Sequence, residues 1–376
     1  MAKIGIITFN STIDNYGQVL QYLATQEYMK SLGHTPILID PQKWERTPLR
    51  MVKWGVQLIY IYIKKLIPQL RQEKKTQIIE NEIEKISVFK EWALISEEQE
   101  KKHPRHFNDF KKKYFSYQAG TFDDILASNY DSFCVGSDQI WSAAGWYWML
   151  GWVPKKIRRF SIAPSIGFRK YTNKEKKSFI PYLKKFDFIT VRENNGVELC
   201  KQCGRHDAVK ILDPVFLLEP NSYNKFAATI QEKNPYIFIY MLGGEIDLPI
   251  AKIIEFCQNQ GFEVKYVESQ GRNENIPNKI YATVEEWIAL IRNAAYVITN
   301  SFHGTAFSII YHKPFLTFPL INLMKDMNER IYDLTEQLGL ESRIYKGDLN
   351  GLFYHVNWET ANKKIKENEN WLRKKI

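Results

Sequence analysis

A chain of 376 residues has room for two or three domains. Apolar residues at 44% and charged residues at 25% are those of a globular protein with a sizeable core, not of a disordered or fibrous chain. The net charge of +10, from 52 Lys and Arg against 42 Asp and Glu, favours acidic partners: phosphorylated metabolites, anionic lipid headgroups or nucleic acid. The plain alternative for that charge is solubility.

The first residues, MAKIGIITF, lack a long apolar stretch followed by a small-residue cleavage site, so they read as a buried first strand rather than a secretory signal. A polar loop, NSTIDNYG, follows. From Gln18 to Leu32 the apolar residues Val19, Leu20, Leu23, Tyr28 and Leu32 recur at helical spacing, and Gly33 ends the helix. TPILID is the next strand. This β-loop-α-β unit, with run-like strands, predicts a parallel sheet covered on both faces.

Residues 43–120 break the alternation and read as a helical insert rich in Lys, Trp, Tyr and Ile. The most apolar piece, WGVQLIYIYIKKLI, is shorter than the roughly 20 residues of a membrane span. It reads as a packing face or as a peripheral membrane contact with basic residues at the headgroups.

The α/β pattern then returns with the strand-like runs YDSFCVGSD, RRFSIAPSI, FDFITVRE and AVKILDP. A second set follows EPNSYNK: PYIFIYMLG, FEVKYVES, NKIYATV, YVITNS and PFLTFP. Two successive sets predict an α/β fold of two Rossmann-like domains, 1–220 and 221–350, with a cleft between them. Residues 351–376, charged from Trp358 onward, form a terminal helix.

The four cysteines, Cys134, Cys200, Cys203 and Cys257, include one CxxC and no second pair at zinc-site spacing, which fits a reducing cytoplasm and no structural metal. Neither GxGxxG nor GxxxxGK[ST] occurs, and no compact nucleic-acid motif appears, so nucleic acid is not an expected partner.

In open parallel sheets the carboxyl ends of the strands line the ligand crevice. Those ends carry Asn15 and Gly17; Asp138 and Gln139; Arg192 and Glu193; and Ser301, His303, Gly304 and Thr305. His303 falls on the turn between YVIT and a helix expected to start near Thr305, where Gly304 permits close backbone approach and free amides form an anion site. The helix dipole should keep the imidazole neutral until a phosphate dianion lies beside it. A histidine that merely hydrogen-bonds a loop is the alternative. Arg192 is suited to a bidentate grip on carboxylate or phosphate, or else to a surface pair with Glu193. Asp138 is a proton acceptor or sugar-hydroxyl ligand, or else a helix N-cap. Asn15 and Gly17 make the first turn.

As a set, NYGQVLQ at 15–21, YDSFCVGSDQIWS at 130–142, ITVRENNG at 189–196, VKILDPVFLL at 209–218, VITNSFHGTAFSIIYHKPF at 297–315 and MNERIYDLTEQLGLESR at 327–343 resemble the polysaccharide pyruvyl transferase family. The resemblance spans nearly the whole chain apart from the insert. It implies a GT-B-like fold whose C-terminal helix crosses back onto the N-terminal domain. That domain would be the acceptor side and the C-terminal domain the donor side. The implied reaction moves a carboxyethylidene group from phosphoenolpyruvate to two hydroxyls of a saccharide, free or lipid-linked, and releases phosphate. The setting would be the cytoplasm or the inner face of the membrane, with no cofactor or metal.

In that reaction His303 would be the general acid or a phosphate ligand, and Arg192 would bind the donor. Gly304 and Thr305 would supply amides. Asp138 would act as base or acceptor ligand, with Asn15, Gly17, Gln139 and Ser301 lining the site. Some family members carry an arginine two residues before the histidine. Here the position is Ser301, so Lys313 or Arg330 supplies the cation, or the donor differs. A glycosyltransferase using a nucleotide sugar and a non-catalytic saccharide-binding protein are the alternatives.

Overall fold

The computed structural model describes residues 1–41, 73–142, 144–167, 171–269, 271–272 and 274–376. The chain opens with β1 (Lys3–Ile7), α1 (Tyr16–Ser31) and β2 (Thr35–Pro41). Next come α2 (Glu73–Lys102), α3 (Phe107–Tyr114), β3 (Tyr117–Gly120), α4 (Phe122–Ala127), β4 (Ser132–Val135) and β5 (Arg158–Ser161). The five strands form one sheet in the order β3-β2-β1-β4-β5, and every pairing is parallel. Then α5 (Asn173–Leu183), β6 (Thr190–Val191), α6 (Asn194–Gln202) and β7 (Val209–Lys210) add a short parallel pair, which a Phe160–Phe188 bridge ties to β5.

After α7 (Pro220–Asn224), the elements β8 (Tyr236–Tyr240), α8 (Ile250–Asn259), β9 (Glu263–Val267), α9 (Val284–Asn293), β10 (Tyr296–Thr299), α10 (Phe302–Ile310) and β11 (Phe315–Thr317) build a second parallel sheet, ordered β11-β10-β8-β9. Helices α11 (Glu329–Leu338) and α12 (Glu359–Arg373) complete the chain. The two α/β units match the Rossmann-like pair expected. Strand β8, YIFIY, is buried at every position, as a parallel strand covered on both faces must be.

Three expectations are corrected. Residues 117–120, read as part of a helical insert, are an edge strand whose ladder runs along β2. NKIYATV forms no strand: Ile280 makes a single bridge to Val267, and Thr283 already caps α9. The first helix starts at Tyr16 rather than Gln18, because the Asn15 side chain accepts from the Gln18 amide. WGVQLIYIYIKKLI, and the membrane contact read from it, lie outside the described residues. Among the described residues no helix is long and apolar enough to cross a membrane.

Two long-range contacts fix the units against each other. Tyr16, at the start of α1, inserts into the second unit: its ring stacks on Trp287 at 5.4 Å and its hydroxyl donates to the Ala282 carbonyl at 2.6 Å. At the other end, α12 returns to the first unit. Leu372 is buried among Ile4, Tyr22, Tyr28 and Met29, and the Asn368 side chain accepts from the Leu212 amide at 3.0 Å.

Candidate functional site

The insertion of Tyr16 brings Gly17 against His303. Helix α10 begins at Phe302, three residues earlier than expected, because the Ser301 hydroxyl accepts from the Gly304 amide at 3.3 Å. His303 therefore lies in the first turn and is 8% exposed. A Cβ on Gly17 would fall 1.9 Å from its Nδ1, so only glycine leaves room for the ring. The Nε2 is buried without a hydrogen-bond partner and sits 3.8 Å from Asp213 Oδ2. Burial holds the imidazole well below its usual range, to about 4. The Asp213 and Asp138 carboxylates oppose that shift, and the Arg192 and Arg330 guanidiniums add to it. The ring is neutral at neutral pH, chiefly through burial rather than the helix dipole.

Arg192 is 4% exposed and does not form the surface pair with Glu193. Its Nη2 lies 2.5 Å from Asp213 Oδ2 and also donates to Ser137 Oγ, while the Ser137 hydroxyl donates to the same Asp213 oxygen at 3.0 Å. The Phe302 ring covers the guanidinium at 4.9 Å. Arg192 Nε and Nη1 are buried with no partner. A buried charged donor left unpaired is costly, and an anion reaching either position would relieve part of that cost.

Around this pair stand three more charged groups. Asp138 is half-buried, with a φ of +60°; it caps a turn rather than a helix, its Oδ1 accepting from the Gln139 amide at 2.8 Å and its Oδ2 from Gln18 Nε2 at 3.4 Å. Glu193 is 1% exposed; its Oε2 accepts from the Ile166 amide at 3.3 Å and its Oε1 has no partner. Burial pushes the Glu193 carboxyl up, against the pull of Arg192, Ser165 and Arg330. Arg330, whose Nε is buried and unpartnered, is pushed down by burial and by Arg192, while Asp138, Glu193 and Asp213 hold its proton on. Two guanidiniums and an imidazole thus share one buried neighbourhood with three carboxyls.

Other expected residues do different work. The Gly304 amide is taken by Ser301 Oγ and the Thr305 amide by the Ser301 carbonyl at 2.9 Å, so neither is free for an anion. The amides without an intrahelical acceptor are those of the first turn, Phe302 and His303. Gly304 is required by packing, since a Cβ there would meet Thr299 Oγ1 at 2.3 Å. Thr305 Oγ1 bonds Thr317 Oγ1 at 2.8 Å. Asn15 is spent as the cap of α1, and the Gln139 side chain lies toward Gly167. Of the two substitute cations, Lys313 faces Arg292, whereas Arg330 joins the group around His303.

Asp213 and Gln21 were not expected; Ser137, beside Asp138 at its strand end, joins them. Gln21 accepts from the Ser137 amide at 2.9 Å and donates to Thr8 Oγ1 at 2.8 Å, so it fixes the β4 loop to β1. Asp213 carried a readable signal, a carboxylate directly after the run VKIL and before a proline.

Comparison with solved structures gives distant likenesses. The UDP-GlcNAc 2-epimerase of Methanocaldococcus jannaschii is 10% identical with a TM-score of 0.49, covering 99% of this chain and 98% of that one. The same-named enzyme of Neisseria meningitidis, bound to UDP-GlcNAc, is 9% identical with a TM-score of 0.46, covering 100% and 93%. The SsfS6 glycosyltransferase of Streptomyces sp. SF2575 is 10% identical with a TM-score of 0.38, covering 100% and 95%. Likeness at this level carries no argument about chemistry. No curated protein matches the chain significantly. The polysaccharide pyruvyl transferase profile, by contrast, matches residues 15–320, a span that contains Gly17, Ser137, Arg192, Asp213 and His303, and the chain belongs to that family.

Proposed function

We propose that the protein transfers the pyruvyl group of phosphoenolpyruvate to two hydroxyls of a saccharide, forming a cyclic ketal and inorganic phosphate. The observation that carries this reading is the pair of unpartnered, buried donors on Arg192 beside the unpartnered Nε2 of His303. A small, multiply anionic donor fits that arrangement. Arg192 takes its carboxylate or phosphate through an unpartnered N–H, and Arg330 supplies the second positive charge. The phosphate dianion beside His303 raises the proton affinity that burial has lowered.

In the reaction, imidazolium gives its proton to the methylene carbon, which becomes a methyl group, and the central carbon becomes electrophilic. The first sugar hydroxyl bonds to that carbon and passes its proton to Asp138. The carbon–phosphate oxygen bond then breaks, the second hydroxyl closes the ring, and its proton leaves with the phosphate. Of the two hydroxyl protons, one replaces that lost by His303 and one departs on phosphate, so the balance closes without a redox partner. A lipid-linked acceptor and a cytoplasmic setting remain part of this reading; four buried, unpaired cysteines agree with a reducing compartment.

The test is phosphate release from phosphoenolpyruvate across a panel of sugar acceptors. The expected result is saturable, acceptor-dependent release that His303→Ala abolishes while the variant keeps its thermal unfolding transition. Binding of a nucleotide sugar with no turnover of phosphoenolpyruvate would move the assignment to a glycosyltransferase.

A further inference from the structure

Helix α2 packs against the strand-end loops of the second unit. Its Trp92 indole lies on two glycines: a Cβ at Gly243 would fall 2.6 Å from the ring and one at Gly271 2.5 Å from it. Beside this contact is a pocket of about 310 Å³, lined by Val88 and Trp92 of α2 and by Gly244, Glu245, Arg272 and Met324 of the second unit. That volume is at the lower end of small-molecule sites, which span about 300–1,000 Å³. Val88, Trp92 and Met324 make an apolar wall. Arg272 is held rigid, with Nε on the Leu242 carbonyl at 2.8 Å, Nη2 on the Gly244 carbonyl at 2.9 Å and Nη1 on Glu274 at 2.7 Å. Three of its five N–H groups are spent, and two remain for a ligand.

The pocket is linked to the loop that carries His303 through Leu242. Asn300, three residues before the histidine, grips Leu242 from both sides, accepting from its amide at 2.7 Å and donating to its carbonyl at 3.1 Å. Leu242 is thus shared by the pocket's arginine and by the loop that starts α10.

The geometry points to this pocket as the seat of one ring of the saccharide acceptor, with the Trp92 indole under the sugar's C–H face and Glu245 and Arg272 on its hydroxyls. The assignment rests on the transfer reading above for the word acceptor, but not for the binding itself. A single guanidinium flanked by Glu245 and Glu274 suits neutral hydroxyls and opposes a diphosphate, which separates a sugar from a nucleotide. A saccharide of more than one ring would run from the pocket along residues 241–244 toward His303.

Saturation-transfer NMR with methyl glycosides of glucose, galactose, mannose and N-acetylglucosamine tests this on the full chain, with phosphoenolpyruvate binding measured separately by calorimetry. At least one glycoside should bind. Trp92→Ala, and Leu323→Trp, which fills the pocket from its lining residue Leu323, should each weaken it tenfold or more and leave phosphoenolpyruvate affinity within twofold. The proposal is overturned if no glycoside binds at 10 mM, if both variants bind like the parent, or if UDP displaces the glycoside. Trp92-dependent glycoside binding without any phosphate release would sink the transfer reading and leave the pocket standing. Phosphate release that both variants leave untouched would do the reverse.

Discussion

Gly17 and His303 meet so closely that residue 17 cannot carry a side chain: a Cβ there would overlap Nδ1 at 1.9 Å. The contact joins the two units, since Gly17 lies in the first turn of α1 and His303 in the first turn of α10. Gly17→Ala should therefore displace the imidazole by a fraction of an ångström to an ångström. A misplacement of about 1 Å costs on the order of a hundredfold in rate. We expect kcat to fall by about that factor and the unfolding temperature to fall as well, because overpacking costs about 1–3 kcal/mol and the gain of about 1 kcal/mol in helix propensity offsets it only in part. Steady-state phosphate release and a thermal melt check both parts.

Arg192→Ala should weaken the donor more than the acceptor. Each hydrogen bond to a charged group contributes about 1.5–3 kcal/mol, so kcat/KM for phosphoenolpyruvate should drop roughly ten- to hundredfold or more. Acceptor KM should stay near its parent value. Equal losses for both substrates would remove Arg192 from the donor grip. Arg192→Lys should recover little, because a lysine has no planar fork to reach both Asp213 and a second anion.

Protonating His303 opposes folding. Its folded value near 4 lies below the ordinary 6.5, so an unfolded chain takes up a proton below pH 6.5 that the folded chain refuses until about pH 4. Stability from this residue is complete above pH 6.5 and is lost as the pH falls from there toward 4. At pH 5 the loss amounts to about 2 kcal/mol. Urea unfolding of the parent and of His303→Asn at pH 7.5 and 5 isolates the effect: the parent should lose about 2 kcal/mol more than the variant. A bound phosphate analogue should narrow that gap.

Gly304→Ala separates packing from substrate binding at the same turn. The added methyl group would press on Thr299 Oγ1 in β10, and overpacking of this kind costs about 1–3 kcal/mol. The unfolding temperature should fall, while kcat/KM per folded molecule stays within a few-fold. A large kinetic loss with an unchanged melt would restore Gly304 to the substrate site.

Much of the scaffold was legible along the chain. Runs such as YIFIY and KIGII announce parallel strands because both faces of such a sheet are buried, and polar residues at their ends announce a crevice. His303, Arg192 and Asp138 are singled out that way, and the structure brings them into one neighbourhood. The partners that set their properties were not, because nothing local marks them. Asp213 is 21 residues from Arg192 and 90 from His303, and it meets both only when the β7 end and α10 pack together. Helix α10 starts three residues before the expected position because Ser301 caps it, and Ser301 occupies the Gly304 and Thr305 amides that an anion was expected to take.

Periodicity and strand-end chemistry, both short-range properties, were enough to determine two α/β units and the residue types at their edges. Burial and charge neighbourhood are set by residues far apart in the chain. Only the packed structure could decide that burial is what lowers the proton affinity of His303, that Arg192 keeps two donors unpaired, and that of Lys313 and Arg330 it is Arg330 that stands with them.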